Sequence, residues 1–236
     1  MKQKLAIFDV DGTLFDGNLG IEYLKSLIVA KVFSDEIGAK IMEWYGKYKS
    51  GEVDKVIVVD EIYKLWAFGF IGINTEVAEK IAMETYEKVK TKLFSTSILI
   101  TNKIQEKGYV PILLSGSPIE MIRILGKDLG MISALAIGGE LEIISGRYTG
   151  KIVNYPGSAE QKVSILNDKL KKLNIDVDWE NSIAMGDNER DLKILKMVGK
   201  PIAFKPNIEL KNVAIQNSWN IADEVNILDI VNKFIN

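Results

Sequence analysis

A short apolar run near the N-terminus, Leu5–Phe8, ends abruptly in the sequence Asp9-Val10-Asp11-Gly12-Thr13. Wholly apolar runs of this length are typical of parallel strands that are buried on both faces. In open α/β sheets, the residues that follow the carboxyl ends of such strands form the binding crevice. The glycine after the second acid permits a sharp turn, so Asp9 and Asp11 can both face one crevice. A plain Asp-Gly turn is the alternative, but such a turn does not need acids on both sides of a valine.

The chain contains no histidine and no cysteine. This composition excludes histidine bases, Ser-His triads, thiolate nucleophiles and zinc sites of the His/Cys type. Acid–base chemistry must therefore come from carboxylates, lysine or tyrosine, and a bound metal must be a hard, oxygen-liganded ion such as Mg2+. A carboxylate nucleophile assisted by a second carboxylate is one of the few catalytic arrangements that remain.

The overall charge and hydropathy limit the partners of the chain. A formal net charge of −2 over 236 residues gives no basic excess, so we expect no nucleic-acid partner. The first apolar run is too short for a signal peptide. The longer apolar stretch 56–73 contains Asp60, Glu61 and Lys64, which predicts a buried amphipathic helix rather than a membrane span. We therefore expect a cytoplasmic protein that does not associate with membranes.

After Asp16-Gly17 the periodicity becomes helical for about eighty residues. The pattern predicts four consecutive helices, at 19–33, 34–49, 53–69 and 75–94. Ser34 and Asn74 are predicted N-caps, and Gly51 marks a break. Four helices with short links predict a helical bundle inserted into the chain. We therefore expect a cap domain at 17–92 and a core domain formed by 1–16 and 93–236.

From residue 95 onward, predicted strands and helices alternate. Helices are expected at 97–107, 118–129, 159–173, 189–197 and 227–234. Strands are expected at 109–114, 134–137, 140–144, 147–152, 183–185 and 201–204, with a hairpin turn at Ser145-Gly146. This alternation predicts an α/β fold in which helices cover both faces of a parallel sheet.

Polar residues end two of these later strands, and a lysine follows in a helix. Ser115-Gly116-Ser117-Pro118 would offer a hydroxyl and backbone N–H groups to an anion, although a routine strand–helix turn explains it slightly better on its own. The segment 185–191 places three acids and an amide at the start of a helix, more than N-capping requires. Lys162 could hold a phosphate among aspartates. Most lysines are solvated, however, and Lys151 is the nearest alternative cation for the phosphate.

Together, these segments resemble the four motifs of the haloacid dehalogenase superfamily, in order. The four segments are Asp9-Val10-Asp11-Gly12-Thr13, Ser115-Gly116, Lys162 and Gly186-Asp187 through Asp191. The position of the helical insertion, and the segments 146–150 and 198–203, are similar to the phosphoserine phosphatase-like members, subfamily IB. The resemblance implies a Rossmann-like, three-layer core with a helical cap, and Mg2+-dependent phosphoryl transfer through an aspartyl-phosphate.

The resemblance also implies a role for each matched residue. Asp9 would be the nucleophile, and Asp11 would protonate the leaving oxygen and then activate water. The phosphoryl group would be held by Ser115, Gly116 and Lys162. The Mg2+ ion would be held by Asp9, Asp187 and the backbone carbonyl of Asp11, with Asp191 and Asn188 in support. In this superfamily an acid at the position of Asp11 favours the hydrolysis of esters.

The chain departs from phosphoserine phosphatases in three places. Those enzymes typically have Glu near the position of Asn18, Asn at that of Arg190 and Gly at that of Ser117, so the resemblance does not identify serine phosphate as the substrate. Arg190 either reaches a second anionic group or forms a surface salt bridge with Glu189 or Glu22. The insertion also carries aromatic residues that either line a substrate pocket or, as is commoner at helical spacing, form the bundle core: Trp44, Tyr45, Trp66, Phe68 and Phe70.

The sequence thus predicts a phosphatase that acts on a small phosphorylated metabolite, a phosphomonoester, with Mg2+ as its cofactor. Two alternatives stay open. One is a phosphotransferase that passes the phosphoryl group to an alcohol. The other, less favoured because all four motifs are present, is a catalytically idle module that binds phosphate or metal.

Overall fold

The computed structural model describes residues 2–131 and 135–235. Within them, seven strands form one sheet: β1 Leu5–Phe8, β2 Val110–Pro118, β3 Leu135–Ile144, β4 Arg147–Asn154, β5 Ile183–Gly186, β6 Lys200–Phe204 and β7 Asn220–Ala222. The same described residues form ten α-helices: α1 Leu19–Val29, α2 Asp35–Ser50, α3 Lys55–Gly69, α4 Thr75–Val89, α5 Ser95–Glu106, α6 Ile119–Asp128, α7 Ala159–Lys172, α8 Leu192–Leu195, α9 Ile208–Gln216 and α10 Ile227–Ile235.

The sheet has the order β4-β3-β2-β1-β5-β6-β7, and only β4 is antiparallel to its neighbour. The first strand is therefore central. Its alternate residues enter opposite cores, because Ala6 and Phe8 belong to one buried apolar cluster while Leu5 and Ile7 belong to another. The predicted three-layer, Rossmann-like α/β core with a parallel sheet is confirmed.

The four helices predicted for the insertion after β1 are also confirmed, as α1 to α4. Asn18, Ser34 and Asn74 each cap one of them by accepting a backbone N–H bond. The first helix ends at Val29 rather than at residue 33. Lys31 takes a positive φ of 57° there, and Phe33 is buried by packing in the turn that follows.

Helix α3, Lys55–Gly69, contains most of the apolar stretch 56–73. The helix is amphipathic, as predicted, with Val58 and Trp66 buried. It is not buried throughout, because Val56, Ile57 and Phe68 are at least half exposed. Within the described residues, every helix is either too short or too polar to cross a bilayer.

Several boundaries differ from the expectations. The segment expected to turn at 115–118 stays extended as the end of β2, which bulges and pairs again at Pro118 with Gly139. The strands expected at 134–137 and 140–144 form the single strand β3, and Ala134 lies outside the described residues. The helix expected at 189–197 is a 3-10 turn, Glu189–Asp191, followed by the short α8. The Ser145-Gly146 hairpin is confirmed.

Candidate active site

The central strands bring the predicted acids and serines to one edge of the sheet. Asp9 follows β1, and its backbone N–H continues the ladder by donating to the carbonyl of Met185 at 2.9 Å. Asp187 directly follows β5, the neighbour of β1 on one side, and Ser115 lies on β2, the neighbour on the other. The carboxyl ends of these parallel strands therefore form one crevice, as expected from the sequence.

Local capping fixes the two segments that approach this crevice from outside the sheet. Ser158 and Gln161 form a capping box that starts α7, which places Lys162 in the first turn. Asn188 and Asp191 form a second capping box around the turn Glu189–Asp191. Both caps are therefore local sequence features that determine where a functional side chain points.

Lys162 joins two acids in the interior. Its Nζ lies 2.7 Å from Oδ1 of Asp9 and 2.6 Å from Oδ1 of Asp191, and all three side chains are at most 7% exposed. Lys151, the alternative cation, instead pairs with Glu142 at the surface. The structure thus selects Lys162 as the lysine of the crevice.

The carboxylates of Asp9, Asp187 and Asp191 form a compact acidic cluster, in which one oxygen of each lies within 4.8 Å of the others. Burial and repulsion from Asp191 raise the pKa of Asp9 well above its usual value, although Lys162 opposes the shift. The same two causes raise the pKa of Asp187 to about 7. Burial alone would lower the pKa of Lys162, but attraction to Asp191 and Asp9 outweighs it, so the net shift is upward. Full ionisation of the cluster is therefore unfavourable unless positive charge is added to that of Lys162.

The donor set of this cluster fits a hard divalent cation. Both oxygens of Asp191 are engaged, one by Lys162 and the other by the backbone N–H groups of Asp187 and Asn188, at 3.2 and 3.3 Å. Asp191 therefore orients the turn. Asp187 receives a side-chain hydrogen bond from Asn188 on Oδ1 only, so its Oδ2 is available as a ligand. Oxygen donors and uncompensated negative charge suit Mg2+.

Gly12 is required next to this cluster. Its φ is +89°, and a β-carbon at this position would collide with the Asp187 carboxylate. The glycine after the two N-terminal aspartates therefore permits both the turn and the close approach of the second acidic segment.

Asp11 is held apart from the acidic cluster by three donors. The backbone N–H of Leu19 donates to its Oδ1 at 2.6 Å, and the hydroxyls of Ser115 and Ser117 both donate to its Oδ2 at 2.8 Å. Ser117 also accepts the backbone N–H of Gly20 at 2.8 Å, so the start of α1 is bonded to the end of β2. Ser117 was not among the predicted site residues. Ser117 lies two residues after Ser115 on the same strand, and this spacing predicts that both hydroxyls lie on one face of the sheet.

A cleft of about 820 Å3, counted with its solvent-open part, lies between this edge of the sheet and helices α1 to α3. Asp9, Asp11, Gly116 and Lys162 line its sheet side. The helices contribute a largely apolar lining: Ile21, Leu24, Tyr45, Tyr48, Val59, Ile62, Tyr63 and Trp66.

The aromatic residues predicted for the insertion lie in three places: the cleft lining, the core and the surface. Tyr45 and Trp66 line the cleft, whereas Phe70 is fully buried in the core. Trp44 packs against the core, and Phe68 does neither, because it is 64% exposed. Tyr63, which the sequence analysis did not select, donates its hydroxyl to the carbonyl of Gly116. The helical spacing of Val59, Ile62, Tyr63 and Trp66 would have predicted that Tyr63 shares one face of α3 with Trp66.

Of the two alternatives for Arg190, the surface salt bridge with Glu189 or Glu22 is not formed among the described residues. The residue lines the cleft, and its Nε donates to Oδ1 of Asn188 at 3.1 Å. Glu22 pairs with Lys25 and Lys92 instead, and Glu189 accepts from Asn207. Among the ion pairs of the described residues, none includes Arg190. Its guanidinium is therefore a second cation of the crevice.

Three curated relatives are phosphatases by name. The chain is 30% identical over 213 residues to a phosphoserine phosphatase of Archaeoglobus fulgidus, a match that covers 90% of this chain and 56% of that protein. It is 26% identical to phosphoserine phosphatase SerB1 of Mycobacterium tuberculosis, covering 92% of this chain and 70% of the relative. It is 25% identical to histidinol-phosphatase of Neisseria meningitidis, a match that covers 93% of this chain and 98% of the relative. The chain therefore spans little more than half the length of the Archaeoglobus relative.

Solved structures share the fold. The TM-score is 0.75 to a protein of unknown function from Bordetella pertussis Tohama I, at 22% identity over 95% of this chain and all of the other. It is 0.66 to phosphoserine phosphatase with an analogue of its phospho-aspartyl intermediate, at 20% identity over the whole of both chains. It is 0.73 to cytosolic 5'-nucleotidase IIIB bound to cytidine, at 14% identity over 99% of this chain and 85% of the other.

The family assignment rests on a match that covers most of the crevice. The model of the haloacid dehalogenase-like hydrolases matches residues 6–196. This range includes Asp9 and Asp11, the serines of β2, Lys162 and the turn that carries Asp187 and Asp191. The chain belongs to the haloacid dehalogenase-like hydrolase family.

Proposed function

We propose that this protein is a Mg2+-dependent phosphatase that hydrolyses a small phosphomonoester through an aspartyl-phosphate on Asp9. The observation that carries the proposal is the buried arrangement of Asp9, Lys162 and Asp187 at the base of a cleft, with Asp11 held beside it. The phosphatase names of the curated relatives support the same reaction class.

Each core residue then has a definite task. Asp9 attacks phosphorus, while Lys162, the hydroxyl of Ser115 and the backbone N–H of Gly116 bind the phosphoryl oxygens. Asp11 gives a proton to the departing alcohol oxygen and afterwards takes one from the water that attacks the aspartyl-phosphate. The backbone N–H of Leu19 and the hydroxyl of Ser117 hold the carboxylate in place for both steps, while the hydroxyl of Ser115 turns from Asp11 to the phosphoryl group.

The metal would be held by Asp9, Asp187 and the backbone carbonyl of Asp11, with Asn188 and Asp191 fixing the turn. When bound, Mg2+ supplies positive charge that stabilises the phosphoryl oxygens and compensates the acidic cluster. The raised pKa values of Asp9 and Asp187 support this assignment, because burial and mutual repulsion make it costly to ionise these carboxyl groups without a further positive charge.

We also propose that residues 17–92 form a cap domain over a core formed by 1–16 and 93–236. Two contacts across the cleft support it. Tyr63 of α3 donates to the carbonyl of Gly116, and the hydroxyl of Tyr155 donates to Asp60 of α3. Contacts of this kind would hold the cap closed and exclude water from the phosphoryl group.

The first test combines activity with metal removal. We expect the protein to release phosphate from p-nitrophenyl phosphate in Mg2+, to lose this activity in excess chelator and to regain it when Mg2+ is restored. Ca2+ should support turnover poorly, because its looser coordination holds in-line geometry less well. Full activity in chelator, with no metal found by elemental analysis, would contradict the metal assignment. Formation of a new phosphoester in the presence of added alcohols would identify a phosphotransferase instead.

A further inference from the structure

The side of the cleft that faces the organic part of a substrate is aromatic and aliphatic. Four of its residues have aromatic rings, namely Tyr45, Tyr48, Tyr63 and Trp66. Trp66 is held in place by rings on both sides, with centroids 5.4 Å from Tyr63 and 5.6 Å from Phe70, both edge-on. A rigid aromatic wall of this kind favours a flat, apolar ligand over a flexible, hydrated one.

The charges around the cleft are those expected for a ligand without an amino group. Of the described residues that line it, those from α1 to α3 include no carboxylate. The carboxylates of the lining are Asp9 and Asp11, which the proposed reaction uses. Arg190 adds a positive charge to the lining, close enough to Asp9, Asp187 and Asp191 to interact with them, although none of the described salt bridges includes it. An ammonium group held against these three helices would therefore have no carboxylate beside it as a counter-ion.

We propose, resting on the phosphatase function above, that the substrate is the phosphate ester of an alcohol with an aromatic or similarly flat, apolar body. This body packs among the aromatic residues of the cleft. It has no ammonium group, so phosphorylated amino acids are poor substrates.

The proposal is tested by binding, which does not depend on turnover. Titration calorimetry of the Mg2+-loaded protein would compare three phosphonates that cannot be hydrolysed: 2-phenylethylphosphonate, ethylphosphonate and 2-amino-3-phosphonopropionate. Burial of one aromatic ring should make the phenyl compound bind about 10- to 100-fold more tightly than the ethyl compound. Equal binding of these two, or tightest binding of the amino acid, would overturn the proposal.

Parallel assays with p-nitrophenyl phosphate separate this proposal from the proposed function. Turnover without a preference for the phenyl phosphonate overturns the substrate class alone. A clear preference without turnover of any phosphoester overturns the phosphatase function and leaves the aromatic site standing.

Discussion

Replacement of Asp9 by asparagine should lower kcat by at least about a thousandfold while the protein stays folded. Asparagine fills nearly the same space but cannot attack phosphorus. The fold should tolerate the change, because the substitution removes one of the acids that repel each other at this site. The loss should be the same for every substrate, since all would require the same nucleophile.

Asp16→Asn is the matched control for this experiment. Asp16 is exposed, and its side chain lies outside the acidic cluster and the cleft lining. The Asp16→Asn variant should therefore retain the activity of the parent protein. Circular dichroism and the melting temperature of both variants would establish that they are folded. An Asp9→Asn protein that turns over at the parent rate would contradict a covalent role for this carboxylate.

Replacement of Lys162 by methionine should impair both catalysis and stability. Without its ammonium group, Asp9 and Asp191 remain buried with no counter-charge, which typically costs about 3–5 kcal/mol when one partner of a buried ion pair is lost. We expect a loss of about this size in the free energy of unfolding, measured by urea denaturation without metal. We also expect at least about a hundredfold loss of kcat/KM on all substrates alike, because a phosphoryl ligand is gone.

Two further variants separate the effects of Lys162 on stability and on catalysis. Adding Asp191→Asn to Lys162→Met should restore part of the stability, since one uncompensated charge is removed, but should not restore activity. Lys151→Ala removes an exposed ion pair with Glu142 and should change stability by less than about 1 kcal/mol. Equal losses from Lys151→Ala and Lys162→Met would show that burial of Lys162 has no special importance.

Much of the fold and of the crevice could be predicted because local patterns determined them. The run Leu5–Phe8 has no polar residue, and it is the central strand with both faces buried. Polar residues that follow β1 and β5 had to meet at one edge, because parallel strands end on the same side of a sheet. The catalytic and ligand roles of these residues stay predictions until variants are measured.

Other features depend on tertiary contacts that no local pattern contains. Phe68 is a large apolar residue of the kind usually found in a core, but it is exposed. Helix α3 packs instead through the face that carries Trp66. Arg190 lies in the cleft rather than at the surface, since the capping of its turn by Asn188 directs it inward. Helix α9 and strand β7 were not predicted, because both are short and their apolar spacing is weak.

The most direct test of the proposed mechanism is to trap the phosphorylated enzyme. In an Asp11→Asn variant the acid–base group is missing, so an aspartyl-phosphate should form from a substrate with a good leaving group and break down slowly. Mass spectrometry of the intact variant, quenched in acid after mixing with p-nitrophenyl phosphate and Mg2+, should show the added mass of one phosphoryl group. Peptide mapping should place it on Asp9. Turnover by the parent protein, with no phosphoryl adduct in the variant or with an adduct on another residue, would contradict the account.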